Sequence, residues 1–465
     1  MKRALALVLA AACMAGCAGT RAPRAAGDVA LPTLPVPAGA RPERVVLITV
    51  HGLAPESYLA ESAPAMPTLA ALARAGVAAE RVEPVFPASI YPAHATLVTG
   101  VPASEHGIGG DRRVTQKGVG PGLLDQATDL RAATFWQAAA RQGARVAALD
   151  WPSTGAASIA DLAPDLELAP GASWLEALER LGAGRAAEVA ARAGGAAAAN
   201  AAPGASRDAA LITMTCALLV GEAPPGVVLV RLSQTHTALD RAAPGSPTSR
   251  AAFAAVDAEI ARLTRCLDDA GLLATTGLAI AGDHGVTAVH TAIRPNVALA
   301  EAGLLVPGPL GAAQRWDAIA RSNGGSAFVY AADADAALLA RRALGELANE
   351  TAAFRVLSAQ EMVARGADPE AWFGLEAEPG FVFDDVAGGR RMEPASRVSA
   401  GGYAPDDPRM ATGLVLWGPR VRAGVRIPLL RQADVAPTLA GWIGLDLATA
   451  RGRNVVGLFT AAPAQ

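Results

Sequence analysis

Short apolar runs alternate with helical patterns along most of this chain, and this alternation constrains its fold more than any other feature. The runs are continuous and rich in β-branched residues, which is typical of strands buried on both faces of a parallel sheet. They lie at residues 45–49, 227–232, 278–281 and 414–417. Helical patterns lie between them, at 66–75, 134–142 and 250–269. The order predicts an α/β protein with three layers, α/β/α, around a mainly parallel central sheet.

Polar residues follow two of these runs directly. His51 comes after the first run, and Asp283 and His284 come after the run at 278–281. Open parallel sheets bind ligands at the carboxyl ends of their strands. We therefore expect these three side chains to belong to one functional site.

Composition and charge limit the class of protein. Hydrophobic residues make up 52% of the 465 residues and charged residues 18%, which is typical of a globular chain. The formal net charge is −3 at pH 7. Without a basic surface, a nucleic-acid partner is not expected.

The N-terminus resembles a bacterial lipoprotein leader. Lys2 and Arg3 precede an apolar stretch at 4–12, and Met14-Ala15-Gly16-Cys17 resembles a lipobox. This predicts a signal peptide at 1–17, a Pro- and Ala-rich tether at 18–42 and one domain at 43–460. Lipidation of Cys17 would anchor the protein on the periplasmic side of the bacterial envelope, at the outer membrane. The alternative is an ordinary secretory signal in which Cys17 is incidental.

Two further cysteines, Cys216 and Cys266, lie 50 residues apart. In an oxidising periplasm they can pair, but the sequence is equally compatible with two buried free thiols.

A series of short segments resembles the nucleotide pyrophosphatase/phosphodiesterase family of the alkaline phosphatase superfamily. Each segment is weak alone, but their order and spacing together are specific. In chain order they are Pro84-Val85-Phe86-Pro87, Tyr91-Pro92-Ala93-His94, Thr96-Leu97-Val98-Thr99-Gly100, His106-Gly107-Ile108, Trp151-Pro152, Pro244-Gly245-Ser246, Val256-Asp257, Asp283-His284-Gly285, Gly402-Tyr403, Gly418-Pro419 and Asp434-Val435-Ala436-Pro437-Thr438-Leu439. A relationship to the sulfatases or phosphoglycerate mutases of the same superfamily would explain the fold equally well. It would explain the segments Pro84-Val85-Phe86-Pro87 and Trp151-Pro152 less well.

The resemblance implies an alkaline phosphatase-like fold with a small insertion and a known chemistry. Two zinc ions about 4 Å apart clamp a phosphoester, and a Thr hydroxyl attacks phosphorus. An Asn and a backbone amide stabilise the transition state, and six Asp and His side chains hold the metals.

The residues at the positions of the nucleophile and the Asn have changed in this chain. The family's Thr position, before Tyr91-Pro92, is occupied by Ile90, which has no atom that can attack phosphorus. The Asn position falls on Asp111, whose carboxylate would repel a phosphate unless it is protonated or bound to a metal.

The metal-ligand positions are partly kept. Asp283 and His284 match the family directly, and His51 replaces an Asp. His236 and Asp240 match an Asp-x-x-x-His pair with the residue types exchanged, and the last ligand position is occupied by Gly401. His51, Asp283 and His284 are expected to hold one divalent metal, zinc foremost, whereas His236 and Asp240 alone would bind a second metal weakly. The alternative is a polar cluster held together by hydrogen bonds without metal.

Two functions remain open at this stage. The first is a pseudoenzyme of the cell envelope that binds a metal, a phosphoester-like small molecule or an envelope protein but has lost the family's hydrolysis. The second is an active hydrolase with one metal, in which Ser89 or a metal-bound water attacks. A helical neighbour of position 90 points about 100° away from it, so the second function requires the backbone at Ser89 to adjust.

Four other residues of the matching segments, or near them, are interpreted as structural. His94 and His106 are expected to support or pack near the site, Asp257 to lie on a helix face and His290 to lie in a surface loop. The insertion before Gly402, at 371–398, shows no residue diagnostic of a substrate pocket.

Overall fold

The computed structural model describes residues 41–61, 64–114, 122–163, 183–192 and 205–460. The predicted leader, Cys17 and most of the predicted tether lie outside the described residues.

A large sheet forms the centre of the described chain. Its strands, from one edge to the other, are Val425–Ile427, Val77–Glu83, Thr412–Trp417, Thr276–Gly282, Arg44–Val50, Val227–Leu232, Val146–Leu149 and Asp161–Ala163, with Leu430–Arg431 beside Val77–Glu83. All neighbouring pairs are parallel except those of Thr412–Trp417, which runs antiparallel to both of its neighbours. The predicted mainly parallel sheet is confirmed.

Successive residues of the central strand Arg44–Val50 pack into different cores. Val46 and Ile48 belong to one buried cluster, and Val45 and Leu47 belong to another. Because side chains alternate between the two faces of a strand, both faces of the sheet are covered. This places helices on both sides and confirms the α/β/α architecture.

The helices fall on both faces of the sheet. On the first face lie Pro67–Ala75, Ala205–Val220 and Pro247–Asp269. On the second lie Ile90–Thr99, Phe135–Arg141 and Val435–Ile443. Shorter or peripheral helices are Glu56–Leu59, Ala103–His106, Ala183–Arg192, Gln234–Leu239, Pro295–Glu301, Ala334–Thr351 and Ala359–Ala364.

A second group of strands, from Thr287 to Ala400, builds a separate core. It contains a four-stranded antiparallel sheet and three smaller pairings. The four strands are Ala318–Ser322, Ser326–Ala331, Phe373–Ala377 and Phe354–Leu357. The smaller pairings use Thr291–Ile293 with Phe381–Phe383 and Met392–Pro394, Leu305–Pro307 with Ala313–Trp316, and Thr287–Ala288 with Ser399–Ala400. The expected small insertion at 371–398 is therefore one part of a larger strand-rich unit.

The structure joins Cys216 and Cys266, which the sequence left undecided, in a disulfide with a Cα–Cα distance of 6.3 Å. This bond links the helices Ala205–Val220 and Pro247–Asp269 on the first face of the sheet. Within the described part of the chain, no helix has the length and apolar character needed to span a membrane.

Candidate metal centre

The centre lies where three adjacent parallel strands end. Val50, the last residue of the middle strand, pairs with Leu232 on one side and Gly282 on the other. The residues that follow these ends therefore meet at one edge of the sheet. His51 follows the middle strand, and Asp283 and His284 follow the strand Thr276–Gly282.

His51, Asp283 and His284 form a compact buried triad. Each offers one ligand atom, and these atoms lie within 4.8 Å of one another. Nδ1 of His51 lies 2.8 Å from Oδ2 of Asp283, and Nε2 of His284 lies 3.8 Å from the same oxygen. The structure thus brings together the three residues from which the sequence predicts a metal site.

Asp283 is held by three hydrogen bonds. The amides of Gly52 and His284 donate to Oδ1 at 3.0 and 2.7 Å, and the His51 ring lies within hydrogen-bonding distance of Oδ2. Burial alone would raise the pKa of this carboxyl, but the nearby imidazoles of His51 and His284 outweigh burial and keep the pKa well below its usual range. Asp283 is therefore an anion, as a metal ligand must be.

The two histidines also suit a metal. Burial lowers the pKa of His51, which favours the neutral ring that can donate a lone pair. Nδ1 of His284 lies 2.9 Å from the carbonyl oxygen of Gly285, a contact in which Nδ1–H donates and which leaves Nε2 facing Asp283. Two imidazoles and one carboxylate make a donor set that fits a single divalent ion.

Gly52 allows the chain to turn sharply at this place. Its φ of 67° lies in the left-handed region, and a Cβ atom there would lie 2.7 Å from Cδ1 of Leu239. The turn directs the amide of Gly52 toward Asp283, so the residue after His51 helps to hold the triad.

His236 and Asp240 lie beside the triad. Nε2 of His236 lies 3.6 Å from Oδ2 of Asp240, and the rings of His236 and His51 have centroids 4.5 Å apart. Their side chains are 26% and 43% exposed, whereas the triad is buried. This pair adds two donor groups at the edge of the site. The triad has three donor groups, and they are less exposed to water.

Gly401, at the last metal-ligand position, has no side chain that could bind a second metal. A Cβ atom on Gly401 would lie 2.4 Å from Nδ1 of His284 and 2.9 Å from the carbonyl oxygen of Ala88. The ring of His284 therefore occupies the space that a side chain at position 401 would need. A ligand from this position is absent, and the present packing does not admit one.

The helix Ile90–Thr99 begins at the cavity beside the triad. Ser89 is its N-cap, with φ −127° and ψ 170°, and Ile90 is its first residue. Both line the cavity, whose volume is about 60 Å³. The backbone of Ser89 is extended rather than helical, so the helical spacing of about 100° does not describe its side chain. Its buried Oγ lies beside Asp111, whose carboxyl interacts with the Ser89 side chain.

Asp111 lies at the same cavity and accepts a hydrogen bond from the amide of Tyr91 at 2.9 Å. Although part of its side chain reaches the surface, desolvation by the surrounding protein outweighs this bond and raises the pKa of its carboxyl. The shift favours protonation, the condition under which an acid at this position tolerates a phosphate.

The histidines interpreted as supporting the site are buried and hydrogen-bonded. Nε2 of His94 lies 2.8 Å from Oγ1 of Thr49, and Nε2 of His106 lies 3.0 Å from Oγ1 of Thr96. Burial lowers the pKa of His94 to about 4 and that of His106 to about 3, so both are neutral at pH 7.

Asp257 accepts hydrogen bonds from the amides of Thr68 and Leu69, both at 2.9 Å, and so caps the start of the helix Pro67–Ala75. His290 is exposed, as expected.

Two residues outside the predicted set hold the site in place. Oδ1 and Oδ2 of Asp208 accept the amides of Ser233 and Gln234, which start the helix that carries His236. Burial raises the pKa of Asp208 to about 6. Nε2 of Gln432 donates to the carbonyl oxygen of Asp283 at 2.6 Å. Neither residue carried a sequence signal, because their contacts join distant segments.

A larger cleft of about 630 Å³ lies beside the cavity. Residues from the strand-rich unit line it, among them Phe383, Asp384, Asp385 and Val386, and Arg397 lines both the cleft and the cavity. The insertion at 371–398, in which the sequence shows no residue diagnostic of a substrate pocket, thus lines the cleft.

Solved structures of known proteins share this fold. The chain is similar to the human ectonucleotide pyrophosphatase/phosphodiesterase 5 with a TM-score of 0.64 and 18% identity. It is similar to the murine protein of the same name with a TM-score of 0.63 and 17% identity, and an inactive variant of the murine protein in complex with AMP gives the same values. Each comparison covers 90% of this chain and 100% of the other. No curated protein sequence matches the chain.

The sequence itself matches a family model over residues 45–367, and that model describes type I phosphodiesterase / nucleotide pyrophosphatase. The matched region includes the triad, the helix that begins at Ile90 and the His236–Asp240 pair. The chain therefore belongs to the type I phosphodiesterase/nucleotide pyrophosphatase family of the alkaline phosphatase superfamily.

Proposed function

We propose that this chain is a metal- and phosphoester-binding member of its family that no longer hydrolyses phosphodiesters by attack of a Thr hydroxyl. The observation that carries this proposal is a contrast at the cavity of about 60 Å³ that His51, His284 and Ile90 line. The triad of His51, Asp283 and His284 is compact and suited to a metal, whereas the nucleophile position is Ile90.

A divalent ion held by the triad, zinc foremost, would attract an anionic oxygen and polarise a phosphoester next to it. The chain's own residues would complete the binding site. Asp111, if protonated, can donate a hydrogen bond to a phosphoryl oxygen, and Ile90 lies beside it as an apolar contact. Binding therefore has support from several groups, but attack on phosphorus lacks the family's hydroxyl.

A second metal finds less support. His236 and Asp240 supply two donors at 3.6 Å, and Gly401 supplies none. A site with two partly exposed protein ligands is expected to bind a metal weakly. One metal per chain is accordingly the proposed state.

A competing function has one observation in its favour. Ser89 lines the same cavity, and its buried hydroxyl lies beside the carboxyl of Asp111, a group that can accept its proton. A hydroxyl in this state can act as a displaced nucleophile if a metal lowers its pKa. The chain would then be an active hydrolase with a rebuilt site.

Turnover separates the two functions. The full chain would be assayed with bis(4-nitrophenyl) phosphate, and with monoester and sulfate analogues, in the presence of zinc, manganese or calcium. The proposal predicts no metal-dependent turnover in the wild type, Ser89→Ala or Asp283→Ala. Zinc-dependent turnover that both substitutions abolish would establish the active hydrolase instead.

Binding is tested independently of turnover. Phenylphosphonate, which cannot be hydrolysed at phosphorus, would be titrated into the zinc-loaded and metal-free chain by calorimetry. We expect zinc-dependent binding in the wild type and in Asp257→Asn, because Asp257 is a buried acid that does not belong to the triad. We expect no binding in Asp283→Ala. Equal binding in all three proteins would contradict a role for the triad.

We also propose that the protein is anchored by a lipid at Cys17 on the periplasmic side of the bacterial outer membrane, where an envelope protein is an alternative partner. The order of charge, apolar stretch and small residues before Cys17 supports this. After expression in a bacterium, Cys17→Ser should move the protein from the membrane fraction to the soluble fraction. An unchanged distribution would contradict the anchor.

A further inference from the structure

The cleft of about 630 Å³ adjoins the cavity at the triad and has the size of a small-molecule site. The two spaces share five lining residues. These are Ile90, Asp111, His236, Asp240 and Arg397. A ligand with its phosphoryl group at the triad therefore has room to extend into the cleft.

The acidic side chains of the cleft are all engaged. Three lie within reach of a cationic or imidazole group, and the fourth accepts a backbone amide. They are Asp240 near His236 at 3.6 Å, Asp384 with Arg294 at 3.2 Å, Asp385 with Arg321 at 3.2 Å, and Asp111 with the amide of Tyr91 at 2.9 Å. Their negative charge is therefore partly compensated within the protein.

Two arginines of the cleft, unlike these acids, have no partner among the described residues. Arg112 and Arg397 are exposed, and neither makes a side-chain hydrogen bond or ion pair with any described residue. Long-range attraction from Arg112 reaches Asp385, but no direct contact joins them. The cleft thus presents two guanidinium groups whose donors are available to a ligand.

The backbone around Arg397 is fixed although its side chain is exposed. The amide of Val398 donates to the carbonyl oxygen of Asp240 at 3.1 Å, and Oγ of Ser399 donates to the carbonyl oxygen of Leu239 at 2.7 Å. These bonds attach the segment to the end of the helix that carries His236. Arg397 is consequently held at the junction of cavity and cleft, which favours a role in binding.

Arg112 is held in a similar way on another segment. It forms a β-bridge with Leu123, and the amide of Leu124 donates to the carbonyl oxygen of Asp111 at 3.1 Å. Apolar side chains complete the cleft, among them Leu123 and the fully exposed Leu310. Arginines beside apolar surface suit a ligand with an organic body and an anionic end.

We propose that the ligand of this site carries a second anionic group, a carboxylate, phosphate or sulfate, which Arg397 and Arg112 bind in the cleft while the first group lies at the triad. This inference rests on the proposed function, since it assumes that a phosphoryl group binds at the triad.

The probes are two series of non-hydrolysable phosphonates. One series consists of ω-carboxyalkylphosphonates with two to six methylene groups, and the other of alkylphosphonates of matched length. Each compound would be titrated into the zinc-loaded full chain by calorimetry. The proposal predicts that, at one or more lengths, the carboxylate tightens binding by about twofold to fivefold, the range of a charge pair at an exposed site.

Variants show which residues supply this gain. Arg397→Ala should bring the ratio of the two affinities close to one, and Arg112→Ala should lower it. Arg342→Ala is the control, because Arg342 is 79% exposed on the helix Ala334–Thr351 and lines neither space, so the ratio should be unchanged.

The outcomes separate this inference from the proposed function. If alkylphosphonates bind and the carboxylate gives no gain at any length, or if the gain survives both Arg397→Ala and Arg112→Ala, the second anionic subsite is wrong and the proposed function stands. If no phosphonate of either series binds the zinc-loaded chain, both proposals are overturned.

Discussion

Replacing Asp283 with Asn should abolish the stabilisation of this protein by zinc while leaving it folded. The carboxylate of Asp283 accepts three hydrogen bonds at 2.7 to 3.0 Å and is the only anionic ligand of the triad. Asn has the same shape and keeps a carbonyl oxygen for the amides of Gly52 and His284. It lacks the charge that attracts a divalent ion.

The magnitude follows from these contacts. A hydrogen bond to a charged group contributes about 1.5–3 kcal/mol and a neutral one about 0.5–1.5 kcal/mol, so weakening three bonds costs up to about 4 kcal/mol. Asn also avoids the desolvation of a buried anion, which offsets part of this cost. We expect the metal-free variant to lose about 1–2 kcal/mol in the free energy of unfolding. Zinc at 100 times its dissociation constant should add about 2.7 kcal/mol to the wild type and nothing to the variant.

The assay is chemical unfolding of the full chain, followed by tryptophan fluorescence, in a chelator and again in buffered zinc. Asp257→Asn is the matched control, because Asp257 is also a buried acid that accepts two amides and it does not belong to the triad. The control should lose stability but keep the gain from zinc. A full zinc gain in Asp283→Asn would refute the assignment of the metal site.

Gly401→Ala places a Cβ 2.4 Å from Nδ1 of His284, so overpacking should cost about 1–3 kcal/mol of stability and lower zinc affinity in a calorimetric titration; unchanged affinity would contradict this packing. The pKa of His106 is lowered to about 3, so this residue's contribution to stability is fully present above pH 6.5 and is lost as pH falls toward 3, by about 1.4 kcal/mol per pH unit. In a chelator, His106→Gln should therefore flatten the dependence of unfolding free energy on pH between 6.5 and 4.5, and an unchanged slope would count against a neutral buried ring. Reducing the disulfide Cys216–Cys266, which closes a loop of 50 residues, should lower the free energy of unfolding by about 4 kcal/mol without altering zinc affinity, whereas an identical unfolding midpoint would show that the bond is absent from the purified protein.

The sequence predicts the core of the site because a strand end is a local signal. The apolar run before His51 and the one before Asp283 mark two buried strands, and parallel strands bring their carboxyl ends together. The meeting of His51, Asp283 and His284 follows from this geometry alone. The sequence did not reveal that Thr412–Trp417 runs antiparallel, because an apolar run carries no information about strand direction.

Features that depend on irregular backbone or distant contacts could not be predicted in this way. Ser89 lines the cavity and has an extended backbone, whereas a helical wheel assumes a helix at this position. Arg397 reaches the cleft because hydrogen bonds join its loop to the helix Gln234–Leu239, and no periodic pattern indicates such a contact. The sequence shows that Gly401 replaces a metal ligand. Only the structure shows that the ring of His284 fills the space of the missing side chain.

The number of zinc ions per chain tests the central claim most directly. Elemental analysis of the full chain, after equilibration with zinc and removal of free metal, should give one zinc per chain in the wild type and none in Asp283→Ala. Two zinc ions per chain would mean that His236 and Asp240 complete a second site despite Gly401. No retained zinc in the wild type would mean that the triad is a hydrogen-bonded polar cluster rather than a metal centre.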